Sequence, residues 1–242
     1  MNESYNPWNE PNRNTIYMNE SFQYETLSNY TAKTFLWMFA GLLATFGVSL
    51  LFYTSGLGLY LFQSSFMFIG LALIEIVLVV SLAARIHKMS VASARAMFFL
   101  YAIVNGIVFS AYLWLYEMGD VLMAFAAASL YFGVMAAYGY LTKRDLTSWR
   151  TPLTIGLIVM LIVSVLGMFF LSATGVLFSV MGVILFACYT AYDTQKIKAA
   201  YFAYAGNPEM AQKASIYAAL QLYLDFINLF LYLLRIFARN RD

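Results

Sequence analysis

Seven stretches of this chain stay apolar for about twenty residues each, the length that crosses a bilayer, and this limits the fold more than anything else. They run over 32–53, 63–84, 96–116, 120–141, 152–171, 173–192 and 216–237. A helix rises ~1.5 Å per residue, so such a stretch matches the ~30 Å hydrocarbon core. Within hydrocarbon the backbone must satisfy its own N–H and C=O groups, which makes each stretch a helix. The chain is 62% hydrophobic and 11% charged, with mean hydropathy +0.72. A soluble domain carries roughly 25% charged residues. The expected fold class is an all-α integral membrane protein with seven transmembrane helices.

Ahead of the first span, residues 1–29 are polar, rich in Asn, Glu, Ser and Tyr, and hold two of the four prolines. No basic segment leads into an apolar one there, so the stretch does not read as a cleavable signal. We expect a disordered cytoplasmic tail over 1–29 and a seven-span membrane domain over 30–242. The connections after the third and fifth spans are only a few residues long, so those pairs read as helical hairpins. Pro152 suits the first turn of the fifth helix.

Orientation follows from the basic residues. Arg85, His87, Lys88 and Arg95 follow the second span; Lys143, Arg144 and Arg150 the fourth; Lys196, Lys198 and Lys213 the sixth. The alternate loops contain no Lys or Arg, and one holds Glu117 and Asp120. The N-terminus is therefore expected in the cytoplasm and, with seven spans, the C-terminus outside. Arg235, Arg239 and Arg241 run against that last point.

Several function classes drop out. A net charge of +2 with no dense basic run gives no footprint for nucleic acid. The single Cys188 cannot build a disulfide framework, and the lone His87 is short of a zinc ligand set. No glycine loop for nucleotides and no Ser/His/Asp set is apparent. No cofactor is expected, and no tightly bound metal.

Ionisable groups within the spans carry the chemistry. Asp225 is near the middle of the last span, where a carboxylate costs at least ~2.5 kcal/mol unless it faces protein, water or a partner. Gln221, Asp225, Asn228, Tyr232 and Arg235 follow at steps of 4, 3, 4 and 3, which is one face of a helix. Asp193 ends the sixth span and Arg85 the second, both on the cytoplasmic side. Two carboxylates close together in low dielectric share a proton, and a nearby guanidinium favours their charged forms. Such a set works as a proton-sensitive latch, and its ionised form attracts a cation. Plainer readings stand beside this one. Asp193 pairs with Lys196 or is solvated; Asp225 orients its helix through Gln221, Asn228 or a tyrosine; Glu75 is a packing residue bonded to a neighbouring helix; Arg85 is an interfacial anchor; Asn105 makes an interhelical hydrogen bond.

The segments Ala191-Tyr192-Asp193-Thr194-Gln195-Lys196-Ile197 and Leu222-Tyr223-Leu224-Asp225-Phe226-Ile227-Asn228-Leu229-Phe230 resemble the two motifs of the transmembrane Bax-inhibitor-motif family, in its bacterial branch. Arg85 to Arg95, followed by Tyr101 to Gly106, is similar to that family's second-to-third-span region. The resemblance implies a seven-helix fold with the last helix central in a six-helix surround. It also implies a calcium leak set by pH, with Asp193 and Asp225 as the sensing pair and Arg85 as the latch. Gln221, Asn228, Glu75 and Asn105 are the supporting polar groups we expect. Calcium would pass transiently near Asp193 and Asp225. The expected partners are the lipid bilayer, calcium ions and, as in some members, a membrane protease or other membrane protein. Stress tolerance and a bacterial plasma membrane complete what the resemblance implies. Two alternatives are a non-transporting regulator that binds another membrane protein and an intramembrane aspartyl protease. Tyr192-Asp193 fits the first motif of such proteases, but Leu222-Tyr223-Leu224 before Asp225 lacks their glycine pair.

Overall fold

The computed structural model describes residues 25–60, 65–170 and 175–239. The expected tail lies outside them up to residue 24. Among the described residues seven long helices follow one another: α1 (Leu27–Thr54), α2 (Ser65–Arg85), α3 (Val91–Leu115), α4 (Met118–Leu141), α5 (Arg150–Phe170), α6 (Val176–Ala203) and α7 (Pro208–Arg239). A short 3₁₀ turn, Thr147–Trp149, leads into α5, and Pro152 falls in the first turn of that helix as expected. Six of the seven, all but α2, are long and apolar enough to cross a membrane over their described residues.

Helix ends are set by local chemistry. Thr26 caps α1 by accepting from the Asn29 backbone N–H at 3.2 Å, so Leu27 to Asn29 of the expected tail are helical. Gly56, at φ 76°, takes the left-handed conformation just beyond the end of α1. Ser90 caps α3 in the same manner as Thr26, from Ser93 N–H at 3.2 Å.

The bundle is apolar on the outside and mixed within. On α1 the inward stripe is Tyr30, Thr31, Thr34, Met38, Gly41, Thr45 and Ser49, while Leu36, Phe39, Leu43 and Phe46 point outward and are more than half exposed. A bilayer covers such outward faces, and the hydroxyls turn inward to find partners. Thr34 Oγ1 and Ser215 Oγ lie 2.8 Å apart, and Tyr30 OH donates to the Ala211 carbonyl at 3.0 Å. These bonds fasten α1 to the first turns of α7.

Helix α7 is the most deeply buried, with Leu222, Tyr223 and Leu229 fully enclosed. It packs chiefly against α6, α4, α1 and α3. The surround is therefore closest to four helices rather than an even ring of six: α2 packs mainly on α3, and α5 mainly on α6. Both α6 and α7 extend past their apolar runs, where polar residues bond to neighbouring elements: Gln195 and Lys198 of α6 to the α4–α5 connection and Tyr140, and Gln212 and Ser215 of α7 to Arg95 and Thr34.

Glycine decides one of these crossings. A Cβ on Gly139 of α4 would collide with the Ala191 carbonyl of α6, whereas one on Gly133 would meet nothing. Gly139→Ala must push backbone away from backbone and should cost about 1–3 kcal/mol, the usual range for overpacking. Gly133→Ala should be neutral or stabilise by up to ~1 kcal/mol. Thermal unfolding of the two variants in detergent checks the contrast; equal melting temperatures would refute it.

Candidate functional site

The crossing at Gly139 and Ala191 fixes α6 just before Asp193. The next turn is held from outside. Gln195 Oε1 accepts from Leu146 N–H and Gln195 Nε2 donates to the Arg144 carbonyl, both at 2.8 Å, which clamps the α4–α5 connection onto α6. Lys198 donates to the Tyr140 carbonyl and stands 4.6 Å from the centre of the Tyr140 ring. Asp193 is thus presented from a rigid helical turn toward α7.

On α7 the polar stripe faces α6 and α5. Gln221, Asp225, Asn228 and Tyr232 line one cavity of about 280 Å³, together with Phe186, Tyr189 and Asp193 of α6 and Leu157, Met160, Leu161 and Ser164 of α5. The structure therefore brings Asp193 and Asp225 to one hollow, within electrostatic reach of each other. Both are about 4% exposed. Asn228 returns its Nδ2–H to the Leu224 carbonyl at 2.7 Å. Arg235, the last member of the stripe, stays exposed, with its guanidinium 5.7 Å from the centre of the Tyr232 ring.

The cation on Asp193 is Lys196. Its Nζ donates to Asp193 Oδ1 at 3.0 Å and to Gln221 Oε1 at 3.1 Å, linking α6 to α7. This is the plainer of the pairings expected for Asp193. Arg85 forms no ion pair with Asp193 or Asp225. It is exposed at the end of α2, and α2 packs mainly on α3, which does not carry that end to α6. Asp225 Oδ2 is buried and has no hydrogen-bond partner among the described residues. No group of three or more His, Cys, Asp or Glu that could hold a metal ion occurs among them either.

Glu75 and Asn105, expected as supporting polar groups, lie in a cluster of their own, apart from the residues that line the hollow. Asn105 Nδ2 reaches Tyr101 OH at 3.4 Å, and Glu75 lies close to Asn105, Tyr101 and Tyr223. The Tyr101 and Tyr223 rings meet edge to face at 5.7 Å. Tyr223 OH and Thr45 Oγ1 are 2.7 Å apart, and Thr45 donates to the Ala102 carbonyl at 2.9 Å. Tyr223 and Asp225 are two residues apart on a helix, so they point to nearly opposite sides. Sequence reasoning missed Thr45, Tyr101 and Tyr223, and a hydroxyl in mid-span was the available signal for each.

The site and bundle define a polytopic membrane protein of helices, with a buried acid pair on its last two helices. A family model described as "Inhibitor of apoptosis-promoting Bax1" matches residues 27–242, and the chain belongs to that family. It is 37% identical over 219 residues to inner membrane protein YbhL of Escherichia coli, covering 89% of this chain and 93% of that one. An uncharacterized protein of Deinococcus radiodurans is 36% identical over 230 residues, 94% of this chain and 97% of its own. One from Borreliella burgdorferi is 36% identical over 183 residues, 75% and 79% of the two chains.

The two faces of α7 can be separated by mutation. Tyr223→Phe deletes the hydroxyl bonded to Thr45 and should cost about 1 kcal/mol of stability. It leaves the hollow lined by Asp193 and Asp225 untouched. Thermal unfolding combined with the rate of amide exchange on α1 reads the loss, and an unchanged α1 would contradict it.

Proposed function

We propose that this chain is a pH-sensitive cation leak of the bacterial inner membrane, with calcium as the permeant ion and the Asp193–Asp225 pair as its gate. One observation carries the reading: both carboxylates line a single hollow between α5, α6 and α7, and Asp225 Oδ2 has no hydrogen-bond partner among the described residues. A buried oxygen of this kind needs a proton, a water or a cation. The oxygens of Asp193, Asp225 and Gln221 suit a hard cation such as calcium. With only two carboxylates, the set favours passage over tight retention.

Protonation supplies the gating step. When the pair takes up protons as pH falls, Asp193 loses its hold on Lys196, and a tie between α6 and α7 is released. Two packings of α7 then change in relative free energy, which is the requirement for a switch. Lys196, Tyr189 and Tyr232 are the other titratable groups around the pair. The loop charges support a cytoplasmic N-terminus and a mouth on that side. The family resemblance supports a role in ion homeostasis and stress tolerance.

The reading is tested in liposomes loaded with a calcium indicator, by measuring flux across a pH series. Asp225→Asn and Asp193→Asn keep the shape and remove the charge. Each should flatten the pH profile and change the flux by about tenfold or more, as expected for a lost buried charge worth at least ~1.4 kcal/mol. Wild-type liposomes that pass no calcium at any pH would sink the proposal, as would variants whose profile matches the wild type.

A further inference from the structure

Lys196 stands where an incoming cation would have to stand. Its ammonium touches Asp193 Oδ1 and Gln221 Oε1, and both residues line the hollow. The Tyr192 ring lies beside it, with its centre 5.2 Å from Nζ. Deeper in the hollow, Asp225 is 4% exposed, its Oδ2 has no hydrogen-bond partner among the described residues, and it lies within reach of the Lys196 charge. The Lys196 side chain itself is 39% exposed. A flexible stem with a hydrated head can swing to water without unfolding anything.

We infer that Lys196 is a tethered cation that competes with the permeant ion for Asp193 and Gln221, and so sets the affinity and charge preference of the site. This rests on reading the aspartate pair as a cation path. A divalent ion displacing the ammonium brings two charges against one. It gains Asp193 Oδ1 and Gln221 Oε1, and the open Asp225 Oδ2 lies deeper along the same wall. A monovalent ion brings no more charge than the ammonium it removes. Lys196 therefore excludes monovalent ions more effectively than divalent ones. The close relation of ammonium and site is local to one turn of α6, because Asp193 and Lys196 are spaced i and i+3.

Binding of manganese(II) to the full chain in detergent, followed by loss of the free-ion paramagnetic resonance signal, tests this directly. Lys196→Met keeps the stem and removes the charge; Lys196→Gln is the second neutral variant. Both should bind manganese about tenfold more tightly than wild type. Lys196→Arg, which keeps the charge, should restore most of the competition. The Lys196→Met, Asp193→Asn double variant should lose the gain. In liposomes the neutral variants should pass proportionally more sodium relative to calcium than wild type does. Manganese affinity that is the same in wild type, Lys196→Met and Lys196→Gln overturns the inference, whatever the flux. Absence of calcium flux from wild type, with tighter manganese binding in the neutral variants, instead overturns the leak reading and upholds Lys196 as the competing cation.

Discussion

A carboxylate in the middle of the most enclosed helix of a membrane bundle has to be answered by something. Asp225 is answered by a hollow, by its neighbour Asp193 and, across that neighbour, by the ammonium of Lys196. Removing two charges from water costs several kcal/mol each, and their mutual attraction repays it only with good geometry and further hydrogen bonds. Lys196 supplies that geometry by bridging Asp193 and Gln221 on two helices at once. The arrangement needs α6 to continue as a helix through its polar end. It does so because Gln195 and Lys198, on other faces of the same turn, are bound to the α4–α5 connection and to Tyr140.

The two sides of α7 are built on opposite principles. Around Tyr223 the space is filled: rings from α3 meet it edge to face, and its hydroxyl is bound to Thr45 of α1. Around Asp225 the space is left open, and one carboxylate oxygen has no hydrogen-bond partner among the described residues. Glu75 Oε1 and Asn105 Oδ1 on the Tyr223 side are also buried without a hydrogen-bond partner among the described residues, so what separates the two sides is the hollow that Asp225 shares with Asp193. Glu75 and Asn105 lie on the Tyr223 side of the helix and do not line the hollow.

The periodicity of the last span carried much of this in the sequence. Steps of 4 and 3 from Gln221 place four of the five polar residues on the hollow, and hydrophobic length marked where the helices run. Partner choice was not legible in the same way. Arg85 and Lys196 are both cations at the same end of the bundle, and loop charge alone cannot rank them. The choice depends on α2 docking on α3, a tertiary fact, and on the i, i+3 geometry that makes Lys196 the nearer group. Helix length was underread for a related reason. Ends estimated from hydropathy stop at the first polar residue, whereas α6 reaches Ala203 and α7 begins at Pro208 because those polar residues are bonded.

The hollow also needs its walls kept apart, and Gly182 shows how. A Cβ there would strike the Tyr232 ring at 2.6 Å, so the missing side chain is what lets that ring lie flat against α6. Tyr232 is then stacked with Phe186, their centres 5.9 Å apart, along the cavity wall. Held there, the ring lines the space above Asn228 without filling it. A larger residue at 182 would have to displace the ring from its place on that wall. The position of that wall is therefore set on the other helix, by a residue with no polar chemistry of its own.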